Sequence, residues 1–183
     1  MKQTVRIIGG QYRGKKLHFP PIDGLRPTPD RVKETLFNWL MHDIRDARCL
    51  DAFAGSGALG FEAFSRGAKR VVLVESSSQV YNNLKQIALS FNTHCLWVVH
   101  AKAEDYFQQT TERFDLVFLD PPFTSNYLPQ CLNFLAHSNL LVHGGLVYLE
   151  SAEKPHLDPL VWREKKAKQA GNVHYGLYEK ITE

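Results

Sequence analysis

The chain has 183 residues, 44% of them hydrophobic, and carries 22 lysines and arginines against 19 aspartates and glutamates. That length suits one domain of roughly 150 residues or slightly more, and the apolar fraction excludes a disordered linker protein. Cys49, Cys95 and Cys131 are odd in number, far apart and form no C-x-x-C pair, which excludes a disulfide-stapled scaffold, a zinc ribbon and a thioredoxin-like redox site.

The charge is uneven along the chain. Residues 1–35 hold Lys2, Arg6, Arg13, Lys15, Lys16, Arg26, Arg31 and Lys33 against Asp23, Asp30 and Glu34, a net of +5, while the rest of the chain sums to −2. A basic end on a slightly acidic body suits a polyanionic partner, although a solvated hairpin rich in lysine and arginine accounts for the same charge. Thr4–Ile8 and Lys15–Phe19 read as strands around Gly9-Gly10-Gln11-Tyr12-Arg13-Gly14. After the break at Pro20-Pro21, the segment Thr28-Pro29-Asp30 reads as a helix start, with Thr28 as cap and Pro29 in the first helical position. Val32, Leu36, Trp39 and Leu40 give that helix an apolar face.

From residue 48 strands and helices alternate. Cys49–Phe53 is a strand that runs into glycines, with a helix over Ala58–Ser65. Val71–Glu75 is an apolar strand ending in an acid, and Val80, Leu84, Ile87 and Phe91 mark the next helix. Cys95–Val99 and Phe114–Asp120 are the third and fourth strands, followed by a helix over Leu128–His137 and a strand Leu146–Glu150. Such alternation means a mostly parallel α/β sheet covered on both faces. Arg163–Gln169 and Val173–Lys180 around Gly171-Asn172 read as a terminal antiparallel hairpin.

Asp51-Ala52-Phe53-Ala54-Gly55-Ser56-Gly57-Ala58-Leu59-Gly60 leaves a strand and opens a helix, and Glu75 ends the next strand 20 residues after Gly55. That order is a nucleotide-site signal, in which Glu75 accepts hydrogen bonds from ribose hydroxyls. Asp51, just before the glycines, separates two cofactors. A carboxylate there repels a dinucleotide's pyrophosphate but suits the ammonium and sulfonium of S-adenosylmethionine (SAM); equally, it can cap the loop's own amides. The fourth strand ends in Asp120-Pro121-Pro122-Phe123. The prolines stiffen the turn and aim the Asp120 carboxylate and the Pro121 carbonyl at one point. Beside Phe123, these acceptors can hold a planar base by its exocyclic amine and position it for methyl transfer.

D-x-F-x-G-x-G followed by D-P-P-F resembles the class I SAM-dependent methyltransferases that act on amines of nucleic-acid bases. With Arg6-Ile7-Ile8-Gly9-Gly10, Arg13-Gly14-Lys15-Lys16-Leu17 and the run Arg26 to Leu40, the chain is similar to the bacterial 16S ribosomal RNA guanine-N2 methyltransferase family that modifies guanine 966. The resemblance implies a Rossmann-like sheet, SAM as cofactor, and ribosomal RNA or the assembling small subunit as partner. It places Asp51, Phe53, Gly55 and Gly57 at the methionine end of SAM, Glu75 at the ribose, Ala103 and Glu104 near the adenine, and Thr28 over the cofactor carboxylate. Asp120, Pro121, Pro122 and Phe123 would hold the target base, and Arg6, Arg13, Lys15, Lys16 and Arg26 would meet RNA. Family members often carry an asparagine where this chain reads His100-Ala101-Lys102-Ala103-Glu104. Residues 1–45 are expected to form an RNA-facing extension of a single domain whose catalytic core spans 46–183.

Rival readings are a DNA adenine-N6 or cytosine-N4 methyltransferase, against which the short remainder of chain argues, a NAD-dependent oxidoreductase, and an RNA-binding module that keeps SAM only structurally. Eight scattered histidines lack ligand spacing, so no metal is expected. No apolar run reaches the length of about 18 residues that a membrane span needs, and the first residues lack a signal-peptide core, so a cytoplasmic location is expected. Trp39, Trp97 and Trp162 read as core residues. Arg163, Lys165, Lys166 and Lys168 read as a protected sheet edge more than as an RNA contact.

Overall fold

The computed structural model describes residues 3–123 and 126–183; Lys2 of the basic N-terminus lies outside them. In chain order the elements are β1 (Gln3–Arg6), β2 (Lys16–Phe19), α1 (Asp30–Trp39), β3 (Arg48–Asp51), α2 (Ala58–Ser65), β4 (Arg70–Glu75) and α3 (Ser78–Ser90). Then come β5 (Leu96–His100), α4 (Ala103–Gln109), β6 (Phe114–Leu119), α5 (Tyr127–His137), β7 (Leu141–Ser151), β8 (Trp162–Ala170) and β9 (Val173–Lys180). β1 and β2 form a separate antiparallel ribbon. The other seven strands form one sheet in the order β5-β4-β3-β6-β7-β9-β8. β5, β4, β3, β6 and β7 run parallel to one another, whereas β9 is antiparallel to both β7 and β8. The strand order therefore reverses between β3 and β6, the place where ligands bind in such sheets.

Side chains of the central strands alternate between two apolar layers, as the period of two demands. Cys49, Val71, Leu73, Leu116, Phe118 and Tyr148 join one cluster, with α1, α2 and α3. Leu50, Val72, Val74, Val117, Leu119 and Leu149 join the other, with Phe107 of α4 and Leu135 of α5.

The N-terminal ribbon is fastened to α2. Glu62, fully buried, accepts from the amides of Ile8 (3.0 Å) and Gly9 (2.9 Å) and from Arg66 Nε (2.8 Å). Lys33, also fully buried, donates to the Arg6 carbonyl at 2.6 Å and stands 3.8 Å from Glu62 and 3.3 Å from Asp30. Ser65 accepts from the amides of Gln11 and Tyr12 through its carbonyl and Oγ, respectively, and donates its hydroxyl to the Gly9 carbonyl. A Cβ on Gly10 would lie 1.9 Å from the Ser65 carbonyl oxygen, and Gly10 has φ +75°. Only glycine fits there.

Four expectations change. Pro29 rather than Thr28 caps α1, because Pro29 is extended (φ −59°, ψ 146°), and no side chain bonds the first amides. α4 was not foreseen: this seven-residue helix buries only Ala103 and Phe107, too little apolar pattern to notice. β7 begins at Leu141, five residues early, and reaches its partner through a register shift that spans Gly144 at φ +72°. Trp97 is 52% exposed on the terminal strand β5, where the Arg70 guanidinium lies 4.8 Å from its ring. At the other end of the sheet β8 carries exposed side chains from Arg163 onward, and Arg163 and Lys165 both reach Glu179.

Candidate active site

Asp51 is the last residue of β3 and Glu75 the last of β4, while Asp120 directly follows β6 and Glu150 lies near the end of β7. Four carboxylates thus gather along the C-terminal edge of the parallel strands. The glycine turn is shaped around two of them. Gly55 and Gly57 have φ +53° and +78°, and Gly57 caps α2. The Gly60 amide donates to Asp51 Oδ2 at 3.0 Å, and a Cβ on Gly60 would lie 2.8 Å from Leu73 and 3.2 Å from that oxygen. Glu75 accepts from the amides of Gly55 (3.0 Å) and Ser77 (2.8 Å). Both carboxylates therefore brace the turn itself, as the capping alternative for Asp51 has it.

Burial dominates the electrostatics. It pushes the Asp51 carboxyl up to about 7, against the hydrogen bond from Gly60 and with help from the Glu75 charge. Asp120 is held well above the usual carboxylate range, first by burial, then by the charges of Glu150 and Asp51. Glu150 is raised by burial, and its hydrogen bond from Tyr148 opposes the shift. Among the described residues no lysine or arginine forms an ion pair with any of the four. Such an edge repels pyrophosphate and suits a ligand with its own positive charge. The ammonium and sulfonium of SAM meet that requirement, so the residues present fit this cofactor better than a dinucleotide.

Phe53 lies in the loop beyond β3, 6.0 Å from the ring of Tyr127. Ala103 is buried and Glu104 half-buried in the first turn of α4, past the end of β5, and the nearby His100 ring stacks on Tyr81. Pro121, Pro122 and Phe123 line a cavity of about 560 Å³ together with Glu150, α5 and the β7–β8 connection. Phe123 is 53% exposed, an aromatic face free to stack.

Thr28 is buried and lines a second cavity, of about 350 Å³, with Arg6, Lys16 and Asp30. Its neighbour Leu25 does approach the turn, since a Cβ on Gly55 would lie 2.9 Å from Leu25 Cδ1. Of the expected RNA contacts, Arg6 pairs with Asp30 at 3.2 Å and Lys15 Nζ sits 4.0 Å from the centre of the Phe91 ring. Arg13, Lys16 and Arg26 are exposed, with no ion pair among the described residues. Sequence reasoning missed Tyr127, Tyr148 and Glu150. Glu150 had a signal, being an acid at the end of the apolar run Leu146-Val147-Tyr148-Leu149, just as Glu75 ends its own strand.

The family described as Conserved hypothetical protein 95 matches residues 5–179. Ribosomal RNA small subunit methyltransferase D of Haemophilus influenzae is 45% identical over 97% of this chain and 95% of its own length. The protein of the same description from Escherichia coli K12 is 43% identical over 96% and 90%. A solved structure described as a putative methyltransferase from Escherichia coli superposes with a TM-score of 0.89 at 42% identity, covering 99% of this chain and all of that one. A putative methylase from Haemophilus influenzae gives 0.84, also at 42% identity, over 98% of this chain and all of its own. With likeness of this degree over nearly its whole length, on a Rossmann-like sheet with the glycine turn and strand-end acids in place, the chain belongs to the ribosomal RNA small subunit methyltransferase D family and is a methyltransferase.

Proposed function

We propose that this protein transfers a methyl group from SAM to the exocyclic N2 amine of a guanine in 16S ribosomal RNA. The observation that carries the reading is Asp120-Pro121-Pro122-Phe123, set at the end of β6 beside the glycine turn, with the Phe123 face exposed. Relatives described as acting on small-subunit ribosomal RNA support the substrate class. SAM, when bound, supplies an electrophilic methyl group. The chain's own work is to hold the amine against it. Asp120 and the Pro121 carbonyl accept the amine hydrogens, which draws the nitrogen lone pair out of conjugation with the ring. Phe123 stacks on the base and fixes its plane. Because burial keeps its carboxyl above the usual range, Asp120 can also hold the proton the amine sheds. Transfer of labelled methyl to ribosomal RNA, assembled small subunits and DNA, with the modified base identified, tests the reading; label found only in DNA would overturn it.

Glu75 is assigned to the ribose hydroxyls, and its grip on Gly55 and Ser77 adds a second role. Glu75→Ala is expected to weaken SAM binding roughly tenfold or more, since hydrogen bonds to a charged group are removed. Calorimetry reads the change, and unchanged affinity would place the ribose elsewhere.

The N-terminal ribbon, with the segment leading to α1, is assigned to RNA contact. Of the expected RNA contacts, Arg13, Lys16 and Arg26 are exposed and form no ion pair among the described residues, so their joint replacement by alanine is the informative one. RNA binding should weaken and its log–log salt slope flatten by about two to three, since each phosphate that a cation no longer neutralises lowers the slope by roughly 0.7–0.9. SAM affinity should stay constant. An unchanged slope would make the basic end a solvated surface.

A further inference from the structure

The reading above gives no task to Glu150, yet Glu150 stands inside the site. β6 and β7 run parallel with Leu119 opposite Leu149, so the next residues, Asp120 and Glu150, bring two carboxylates side by side. Glu150 lines the same cavity as Pro121, Pro122 and Phe123. It is only 9% exposed. Tyr148, fully buried two residues earlier, donates its hydroxyl to Glu150 Oε1 at 2.7 Å. Among the described residues Oε2 has no hydrogen-bond donor, and no cation pairs with the group. With Oε1 held and no counter-charge, Oε2 is left as an acceptor open to a ligand. The C-terminal edge of the sheet therefore offers an acceptor oxygen next to Asp120, beside the place assigned to the target amine.

We infer that Glu150 selects guanine by accepting the ring N1–H of the target base through Oε2, while Tyr148 holds the other oxygen. This rests on the proposed transfer to a guanine N2 amine. The Watson–Crick edge of guanine presents N1–H and the two N2 hydrogens in a row. Asp120 and the Pro121 carbonyl take the amine, and Glu150 takes the ring hydrogen next to it. Adenine and cytosine carry an amine too, but the ring nitrogen beside it is an acceptor. Set against Glu150, that nitrogen leaves two acceptors facing each other with no proton between them, a mismatch that a site built to receive an N–H rejects strongly. The tetrapeptide alone would serve all three amines, so the choice among them falls to the neighbouring strand. Glu150 acts on recognition and takes no part in the transfer itself.

The test replaces the target guanine in an RNA substrate by 2,6-diaminopurine, which keeps the N2 amine but has an acceptor at N1. The wild-type protein should prefer guanine by about 100-fold or more in methyl transfer at N2. Glu150→Gln has an amide that can donate to that acceptor, so the preference should fall at least tenfold, roughly what one mispaired buried group is worth. Both rates come from one preparation, so any unfolded fraction cancels. Should Glu150→Gln not fold, Tyr148→Phe frees the carboxylate to turn and should also lower the preference. An undiminished preference in the variant, or wild-type protein that methylates both bases equally, overturns the assignment of Glu150. If wild-type protein methylates guanine RNA at no N2 amine, the proposed reaction itself falls, and this assignment with it.

Discussion

Asp120→Ala is expected to lower methyl transfer by about two to three orders of magnitude while SAM affinity changes little, the scale seen when a preorganised partner of the reacting group is removed. The side chain follows the buried strand β6 and leans on no backbone amide that shapes the glycine turn, so its removal spares the cofactor site. The pH dependence has a definite sign. Asp120 must be ionised to accept the amine hydrogens, and burial with the charges of Glu150 and Asp51 raises its carboxyl well above the ordinary range. Transfer should therefore fall as the solution is acidified, beginning at a pH where an exposed carboxylate would still be fully charged, and level off on the alkaline side. Single-turnover transfer from labelled SAM across pH reads both effects. Wild-type rates in the variant would remove Asp120 from the chemistry.

The second large effect is on stability. Glu62→Ala strips the acceptors from the Ile8 and Gly9 amides and leaves the fully buried Lys33 with only the Arg6 carbonyl and the half-exposed Asp30. Breaking one side of a buried pair in this way costs about 3–5 kcal/mol. The destabilisation should concentrate where those groups sit. Hydrogen exchange in residues 3–19 should quicken far more than in the central strands, and urea unfolding should show a clearly lower midpoint. A midpoint unchanged from wild type would mean that the ribbon is held by its apolar contacts alone. Those contacts are Val5 and Phe19 against Ala58, and Ile7 and Leu17 within the larger cluster.

The features legible in the sequence are those whose cause lies within a few residues. Ala58–Ser65 and the glycines before it follow from local spacing, and β4 and β6 are apolar runs with punctuation at their ends. The site was readable for the same reason, because parallel strands carry their terminal acids to one edge whatever lies between them. What escaped depends on partners far along the chain. Lys33 counts as one more charge of the basic end until Glu62 and the Arg6 carbonyl are known to meet it. Lys15 reads as a phosphate contact, and nothing near it in sequence tells that Phe91 lies beneath its Nζ. Gly9-Gly10 reads as part of a turn between two strands, whereas Gly10 is there because the Ser65 carbonyl leaves no room for a side chain. Trp97 looks like core by composition and is exposed because its strand is the last in the sheet.

The fastening of the ribbon to α2 also bears on the order in which the chain can fold. The groups that receive the ribbon lie 53 to 56 residues further along the chain: Glu62 for Ile8 and Gly9, Ser65 for Tyr12 and Gly9. A two-stranded ribbon has little stability of its own in water, so this one must wait for α2. β3 pairs first with nearby β4, but its other edge needs β6, and the Arg48 amide finds Asp115 only 67 residues on. Pairings so distant pay their loop entropy before any contact rewards it. The basic ribbon is thus expected to settle only after α2 has formed.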